Sequence, residues 1–214
     1  APFYAFSHQQ GHIAAAVYSS GRPELLHAPF LAWHLSGGTT ELLLVKPDET
    51  QIVTEEIIGG TTDISAGQLI DRTGVLLGLG FPAGKALAAL ASAHPSETQY
   101  RVRCTDCRFS LSGMENRVHD MRSAQCRDEE IANFVINTVL SAIERATEQA
   151  LRRYPGLPVL CSGGVASTER IRRRLTERFG AAFARPEFST DNAMGVAVLA
   201  AIKSEGKLPE WTLV

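Results

Sequence analysis

Short apolar runs separated by glycine, proline and polar clusters dominate the chain, and this pattern predicts buried strands alternating with helices. The predicted strands cover residues 2–7, 29–35, 40–45, 51–58, 157–161 and 181–185. The polar segment 47–50 lies between two of them and predicts a hairpin. The first strand has no turn or cap before it, so we expect further sequence of the protein to precede this chain.

Apolar positions with a period near 3.6 predict helices elsewhere. The clearest helix covers 129–153, and its apolar face consists of Ile131, Phe134, Val135, Val139, Ile143 and Ala146. Ser7 is the predicted N-cap of a helix that begins at His8. Further helices are predicted at 64–77, at 85–93, from 165 to 179 and from about 192 to 203, whereas the polar segment 95–125 shows no clear period. The order of elements predicts an α/β protein with mixed sheets, flanking helices and a helical insertion.

The charge balance limits the classes of function. The 214 residues include 21 basic and 23 acidic ones, a formal charge of −2, which argues against a strongly cationic nucleic-acid binder. Glycine, proline and lysine interrupt the longest apolar stretch, 75–93, so no membrane span is predicted. The first residues lack the pattern of a signal peptide, and four cysteines do not form a disulfide scaffold. We therefore expect a soluble, cytoplasmic protein.

Two histidines are the first candidates for chemistry. His8 and His12 are four residues apart on a predicted helix, so both imidazoles project from one face. This is the spacing of a two-histidine metal clamp, and equally of two surface or capping histidines. Gln9 stands where an H-E-x-x-H metalloprotease has its general-base glutamate, and an amide cannot accept the proton, so proteolysis is the least favoured reading. Asp191, just before the last predicted helix, is either a further carboxylate ligand or an N-cap.

Two Ser-Gly-Gly sequences follow predicted strands, at 36–38 and 162–164. Glycine lets a ligand approach the backbone, and N–H groups of such turns bind phosphate oxygens. The second sequence is expected to open a helix, whose N-terminus favours negative charge. The pair resembles the nucleotide loops of actin-like phosphotransferases.

For two further patterns, a functional interpretation has less support than a purely structural one. Cys104-x-x-Cys107 has the spacing of half a zinc knuckle, for which Cys126 or His119 would have to supply the other ligands. A basic cluster on the helix ending at 179 fits a solvated helix face better than an RNA-contacting strip. Its members are Arg170, Arg172, Arg173, Arg174 and Arg178.

Six motifs follow one another along nearly the whole chain. They lie at residues 8–12, 35–42, 63–72 (with 77–84 behind it), 109–113, 163–166 and 190–194. In order they resemble H-x-E-G-H, V-S-G-G-x-T-Q-L, D-x-A-G-E-x-x-D-K, F-S-F-S-G, G-G-V-A-x-N and T-D-N-A-A-M. These are motifs of the TsaD/Gcp/Kae family, which makes threonylcarbamoyladenosine in tRNA and was formerly labelled O-sialoglycoprotein endopeptidase.

The resemblance implies an actin-like (ASKHA, RNase H-like) fold of two lobes with metal and nucleotide in the cleft. Residues 1–28 would be the end of the first lobe, a strand plus the metal-binding helix. Residues 29–189 would be the second lobe, with its helical insertion at about 63–125. Residues 190–214 would be a C-terminal helix packing back towards the first lobe.

The resemblance also implies a ligand set. One divalent metal, iron or zinc, would be held by His8, His12 and Asp191, with His34 as an added ligand. An adenine nucleotide, ATP or an acyl-adenylate, would contact a set of residues spread over four motifs. These are His34, Leu35, Ser36, Gly37, Gly38, Thr39, Asp71, Gly84, Gly163, Gly164 and Thr168.

The implied function is threonylcarbamoyl transfer from threonylcarbamoyl-adenylate to a tRNA adenosine beside the anticodon. The implied partners are tRNA, reached through a partner complex, and TsaB-like and TsaE-like proteins or a second copy of the chain. The sequence departs from the motifs at Gln10, Thr39 and Thr168, and Glu115 stands where the family has lysine. The departures at Glu115 and Thr168 favour an alternative, a non-catalytic nucleotide- and metal-binding paralogue that acts as a partner module.

Overall fold

The computed structural model describes residues 3–96, 100–188 and 193–206. Its helices are α1 His8–Ser20, α2 Ala66–Leu76, α3 Gly84–Ala93, α4 Ser112–Ser123, α5 Asp128–Arg153, α6 Glu169–Phe179 and α7 Met194–Glu205. Its strands are β1 Phe30–Leu35, β2 Thr40–Asp48, β3 Ile52–Thr61, β4 Cys104–Thr105, β5 Arg108–Phe109, β6 Val159–Ser162 and β7 Ala182–Phe183.

The strands form one mixed sheet in the order β4-β5-β3-β2-β1-β6-β7. The β1–β2 and β2–β3 pairs are antiparallel, which confirms the predicted hairpin. Strand β6 pairs in parallel with β1 on one side and with β7 on the other. Because β1 and β6 run in the same direction, the turns that follow them leave the same edge of the sheet.

Alternate side chains of β1 are buried on opposite faces of the sheet. Leu31, Trp33 and Leu35 lie in the larger core cluster, which includes much of α5, and the Trp33 indole N–H donates to Thr147 Oγ1 at 2.9 Å. Phe30 and Ala32 lie in a second cluster, with side chains of α1. Helices therefore cover both faces, as the α/β prediction requires.

Helix α7 packs directly on α1. A Cβ atom on Gly195 would lie 1.7 Å from the carbonyl oxygen of Gly11, so this close approach of the two helices requires glycine at residue 195. Asp191 precedes α7 in sequence and lies outside the described residues.

One predicted strand is wrong, and one segment that the sequence left unassigned contains regular elements. Residues 3–7 form no strand, since they pair with no strand in the described part of the chain; Phe3 is 90% exposed, and Phe6 packs against a cluster of α1 and α7 instead. The segment 95–125, which shows no clear period, contains the small hairpin β4–β5 and helix α4 in its described part. Strand β5 pairs in parallel with β3, so pairing with β3 and not periodicity defines it.

Candidate functional site

Helix α1 begins where its capping residue predicts. Ser7 Oγ accepts from the backbone N–H of Gln10 at 3.0 Å, and the Gln10 side chain accepts from the backbone N–H of Ser7 at 2.8 Å. This capping box fixes the first turn of α1. His8 lies in that turn and His12 one turn later. Both are in the N-terminal part of α1, and His12 lies near the carboxyl ends of β1 and β6.

Three imidazoles meet at this end of α1. The Nε2 atoms of His8 and His12 lie 3.0 Å apart, and the His34 ring lies 4.8 Å from that of His12, centroid to centroid. The separation of the His8 and His12 nitrogens is that of a hydrogen bond between the two rings. It is also compatible with two ligands of one divalent ion, since metal–imidazole bonds of about 2.1 Å place such ligands roughly 3.0–3.4 Å apart. Imidazole is a ligand that suits both iron and zinc.

The complete ligand set predicted for the metal extends beyond the described residues. Asp191 is its carboxylate and is not described. In the ranges 3–96, 100–188 and 193–206, no group of three or more His, Cys, Asp or Glu side chains has the arrangement of a metal site. The assignment of His8, His12, His34 and Asp191 thus stays a prediction.

The two Ser-Gly-Gly turns are neighbours in space. His34 of β1 lies opposite Ser162 of β6 in the parallel register; the first turn begins two residues after His34, and the second begins at Ser162 itself. The backbone N–H of Val165 donates to the carbonyl of Leu35 at 2.9 Å, which ties one turn to the other. Ligands of open α/β sheets bind in such a crevice at the carboxyl ends of adjacent strands.

The glycines of these turns have different roles. Gly163 has φ +100°, and a Cβ there would lie 2.2 Å from the carbonyl oxygen of Leu35, so packing requires glycine. Gly37, Gly38 and Gly164 face open space instead, with no atom within 4 Å of a built Cβ. The second turn does not open a helix directly, because α6 begins at Glu169 after an intervening turn.

The loop Ser36–Thr39 rests on the N-terminus of α2. Ser65 Oγ donates to the carbonyl of Gly37 at 2.6 Å, and the backbone N–H of Ala66 donates to Thr40 Oγ1 at 2.8 Å. Gly67 packs against the loop backbone so closely that a Cβ would lie 2.4 Å from the Cα of Gly37. The motif at residues 63–72, which contains Asp63 and Asp71, therefore packs against the first Ser-Gly-Gly turn and stabilises its backbone.

Asp63, in the same motif, holds the start of α4 in place by hydrogen bonds. Its carboxylate accepts from the hydroxyls of Ser110 and Ser112 and from the backbone N–H of Leu111 at 2.8 Å. Burial raises the pKa of Asp63, but these hydrogen bonds outweigh it and hold the pKa well below its usual range. Asp63 is thus a structural link between two motifs.

The predicted nucleotide residues at 71, 84 and 168 lie on three different helices or helix caps. Asp71 Oδ1 accepts from the backbone N–H of Ala83 at 2.8 Å, which brings α2 and the start of α3 together. Gly84 is the first residue of α3, and the nearest atom to its built Cβ is 3.9 Å away. Thr168 precedes α6 without a side-chain capping bond.

Two departures from the family motifs have local structural reasons. Gln10 is buried, and its Nε2 donates to the carbonyl of Val53 at 2.9 Å, a bond that a carboxylate could not make. Glu115 pairs with Arg72 at 3.0 Å, so the inverted charge is compensated within the chain.

Cys104-x-x-Cys107 forms the β4–β5 hairpin. Asp106 and Cys107 both have positive φ, the conformation of a two-residue turn, and Gln149 holds the backbone of both cysteines. Burial raises the pKa of Cys104 to about 11 and also raises that of Cys107, so both stay thiols at neutral pH. No third His, Cys, Asp or Glu of the described residues joins these cysteines in the arrangement of a metal site, so the zinc-knuckle alternative gains no support.

The basic cluster of α6 is largely occupied by protein partners. Arg174 and Arg178 each lie 3.2 Å from the buried carboxylate of Glu144. Arg170 donates to the side chains of Asn133 and Asn137. These bonds argue against an RNA-contacting strip, and they also show that these three arginines bind α5 instead of forming the purely solvated helix face that the sequence favours.

Sequence reasoning missed Glu41 at this site. Gln9 Nε2 donates to Glu41 Oε2 at 3.2 Å, next to the histidines. The available signal is its position: Glu41 lies seven residues after His34, and a short turn between the two strands brings these residues opposite each other in an antiparallel pair.

Comparison with solved structures identifies the class of fold. The chain is similar to full-length HypF in its phosphate- and nucleotide-bound form, with a TM-score of 0.69 and 15% identity over 92% of this chain and 42% of that one. It is also similar to component A of the (R)-2-hydroxyglutaryl-CoA dehydratase of Acidaminococcus fermentans, with a TM-score of 0.58 and 18% identity over 94% of this chain and 70% of that one. The predicted actin-like ASKHA fold is therefore confirmed.

Sequence comparison identifies the family within that class. The sequence model of TsaD, tRNA N6-adenosine threonylcarbamoyltransferase, matches residues 1–198, and the chain belongs to this family. Curated relatives of that name are 31% identical in Aromatoleum aromaticum, over 95% of this chain and 61% of the relative, and 29% identical in Chloroherpeton thalassium, over 98% and 65%. The chain thus spans a little over three fifths of the length of these relatives. Across the described ranges, no helix is long and apolar enough to cross a membrane.

Proposed function

We propose that this protein takes part in threonylcarbamoyl transfer to the N6 atom of a tRNA adenosine beside the anticodon. The observation that supports this most is the convergence of separate motifs: the three histidines and both Ser-Gly-Gly turns lie around the adjacent ends of β1 and β6. The family membership supports the same reaction, and for this reason the non-catalytic alternative is not favoured.

The proposed chemistry is an acyl transfer from threonylcarbamoyl-adenylate. A bond forms between the adenosine N6 and the carbamoyl carbon, the bond from that carbon to the adenylate phosphate oxygen breaks, and AMP leaves with loss of a proton from N6. The nucleotide phosphate would lie against Gly37, Gly38 and Gly164, which face open space. Asp71 would hold the ribose and Gly84 would leave room for adenine.

His8, His12 and Asp191 would hold a divalent ion, iron or zinc, with His34 as an added ligand. Such an ion polarises an acyl oxygen when bound. The chain's own contribution would be to fix the imidazoles: the Ser7 capping box sets the start of α1, and β1 places His34 beside His12.

We further propose that tRNA reaches the site through a partner complex, of TsaB-like and TsaE-like proteins or a second copy of the chain, in the cytoplasm. The net charge of −2 provides no general affinity for RNA. Three arginines of α6 are already bound within the protein. Arg174 and Arg178 pair with Glu144, and Arg170 donates to Asn133 and Asn137.

The test is the threonylcarbamoyladenosine content of tRNA. We expect nucleoside mass spectrometry to show loss of this nucleoside when the gene is deleted, and its return with the parent gene. The gene with His8→Ala and His12→Ala should not restore it, whereas a matched control with His27→Ala and His119→Ala, two exposed histidines, should. Unchanged modification in the deletion strain would reject the proposed function. Full restoration by the His8/His12 variant would instead favour the non-catalytic partner module.

A further inference from the structure

Glu41 lies on the same face of the sheet as His34. The two residues are directly opposite in the antiparallel β1–β2 register, and the next pair on that face, Ala32 and Leu43, packs in the core cluster that includes α1. Directly opposed residues have Cβ atoms about 4.5–5.5 Å apart. The Glu41 side chain therefore starts beside that of His34, on the face of the sheet that α1 covers.

Gln9 connects this carboxylate to α1. It follows His8 in the first turn, and its Nε2 donates to Glu41 Oε2 at 3.2 Å. Gln9, His12 and His34 line one small cleft beneath α1. The hydrogen bond thus ties the Glu41 side chain to a residue of the cleft that His12 and His34 line.

The negative charge of Glu41 is not neutralised by any residue that the structure describes. Among the described residues, no lysine, arginine or histidine forms an ion pair with it, and its neighbour on β3 is Gly60, which has no side chain. The motifs given above have glutamate in place of Gln10 and glutamine in place of Glu41. In this chain, Gln10 uses its amide for Ser7 and Val53, and the carboxylate lies on β2 instead.

We propose that Glu41 is a positioning residue of the histidine cluster, whose charge strengthens the binding of a divalent cation there. Gln9 fixes the carboxylate beside the cluster, and in a partly buried site a fixed negative charge attracts a dication through space. This inference rests on the metal site proposed above. It requires no direct bond between Glu41 and the ion.

The test is the affinity of the purified 214-residue chain for Zn²⁺, measured by competition with a fluorescent chelator. Glu41→Gln keeps an acceptor for the Gln9 amide and removes the charge, and it should weaken zinc binding by about tenfold. Glu41→Asp keeps the charge and should stay within about threefold of the parent. Glu56→Gln, at an exposed position of β3, is the matched control and should bind like the parent.

The urea midpoint of the metal-free proteins shows whether a weaker zinc affinity of Glu41→Gln comes from the lost charge or from impaired folding. We expect the midpoint of Glu41→Gln to equal that of the parent. Equal zinc affinity of Glu41→Gln and parent, or a weakened affinity shared by Glu41→Asp, would overturn the role of Glu41 alone. A parent that binds no zinc, or binds it equally well after His8→Ala with His12→Ala, would overturn the metal site itself.

Discussion

His34 of β1 and Ser162 of β6 occupy opposite positions in adjacent parallel strands. This relationship brings a histidine, two glycine-rich turns and the first turn of α1 to one edge of the sheet. The turns are 126 positions apart in sequence if counted from Ser36 to Ser162, and the β1–β6 pairing alone makes them neighbours. The proposals above depend on this pairing.

The contact between Gly163 and Leu35 should not tolerate a side chain. We expect Gly163→Ala to lower the free energy of unfolding by at least about 2 kcal/mol, because φ is +100° and the added Cβ would overlap the Leu35 carbonyl. Gly164→Ala, the neighbouring control in open space, should change it by no more than about 1 kcal/mol. Urea unfolding measures both, and equal stability of the two variants would contradict the described packing.

Gly37 should matter for nucleotide binding and not for folding. A valine there would extend into the open space where the phosphate is proposed to lie, so we expect the affinity for AMP or ATP to fall at least about tenfold in calorimetry. Gly113→Val, another glycine with open space around its Cβ, serves as the control. If the Gly37 variant binds as the parent does, the nucleotide does not lie against this turn.

Asp63 should make stability depend on acid pH. Its pKa is lower in the folded protein than in the unfolded chain, so its contribution is complete above the unfolded value, about 3.9, and is lost as the pH falls below it. We expect Asp63→Asn to lower stability at pH 7 by on the order of 1–2 kcal/mol, the modest figure reflecting partial exposure. The difference from the parent should shrink below pH 4.

Urea unfolding at several pH values tests this, with Asp120→Asn, an exposed carboxylate of α4, as control. A difference between parent and Asp63→Asn that stays constant from pH 7 to pH 3 would mean that the Asp63 charge is not what the hydrogen bonds stabilise.

The Arg72–Glu115 pair should survive reversal of its charges. Glu115→Lys places two cations together and should cost about 0.5–1 kcal/mol of stability, and Arg72→Glu should cost a similar amount. The double variant Arg72→Glu with Glu115→Lys restores an opposite pair and should recover most of the loss. Strictly additive losses in thermal or urea unfolding would show that the pair makes no net contribution.

The sequence predicts most of the fold because its strands and helices have regular apolar periods. Helix α5 and the β2–β3 hairpin begin and end within about three residues of their predicted bounds. Strand β5 was not predictable this way, since two residues carry no period and only pairing with β3 defines them. The strand predicted at 2–7 is wrong over its described part, 3–7, because an apolar pattern does not reveal whether a neighbouring strand is available to pair with it.

The part of the site that depends on short sequence motifs was predictable. The spacing of His8 and His12 on a helix fixes their shared face, and the structure brings them together. The roles of Gln10 and Glu41 were not predictable, because each depends on a contact between α1 and the sheet. Asp191 lies outside the described residues, so the predicted carboxylate ligand stays a prediction.

The metal content of the purified 214-residue chain is the measurement that tests the central claim most directly. The claim is that His8 and His12, held 3.0 Å apart by α1, form the core of a divalent metal site. Elemental analysis after incubation with iron or zinc and removal of loosely bound ions should give about one ion per parent chain. The His8→Ala with His12→Ala variant should retain almost none, and the His27→Ala with His119→Ala control should match the parent. Equal metal content in all three proteins would contradict the claim.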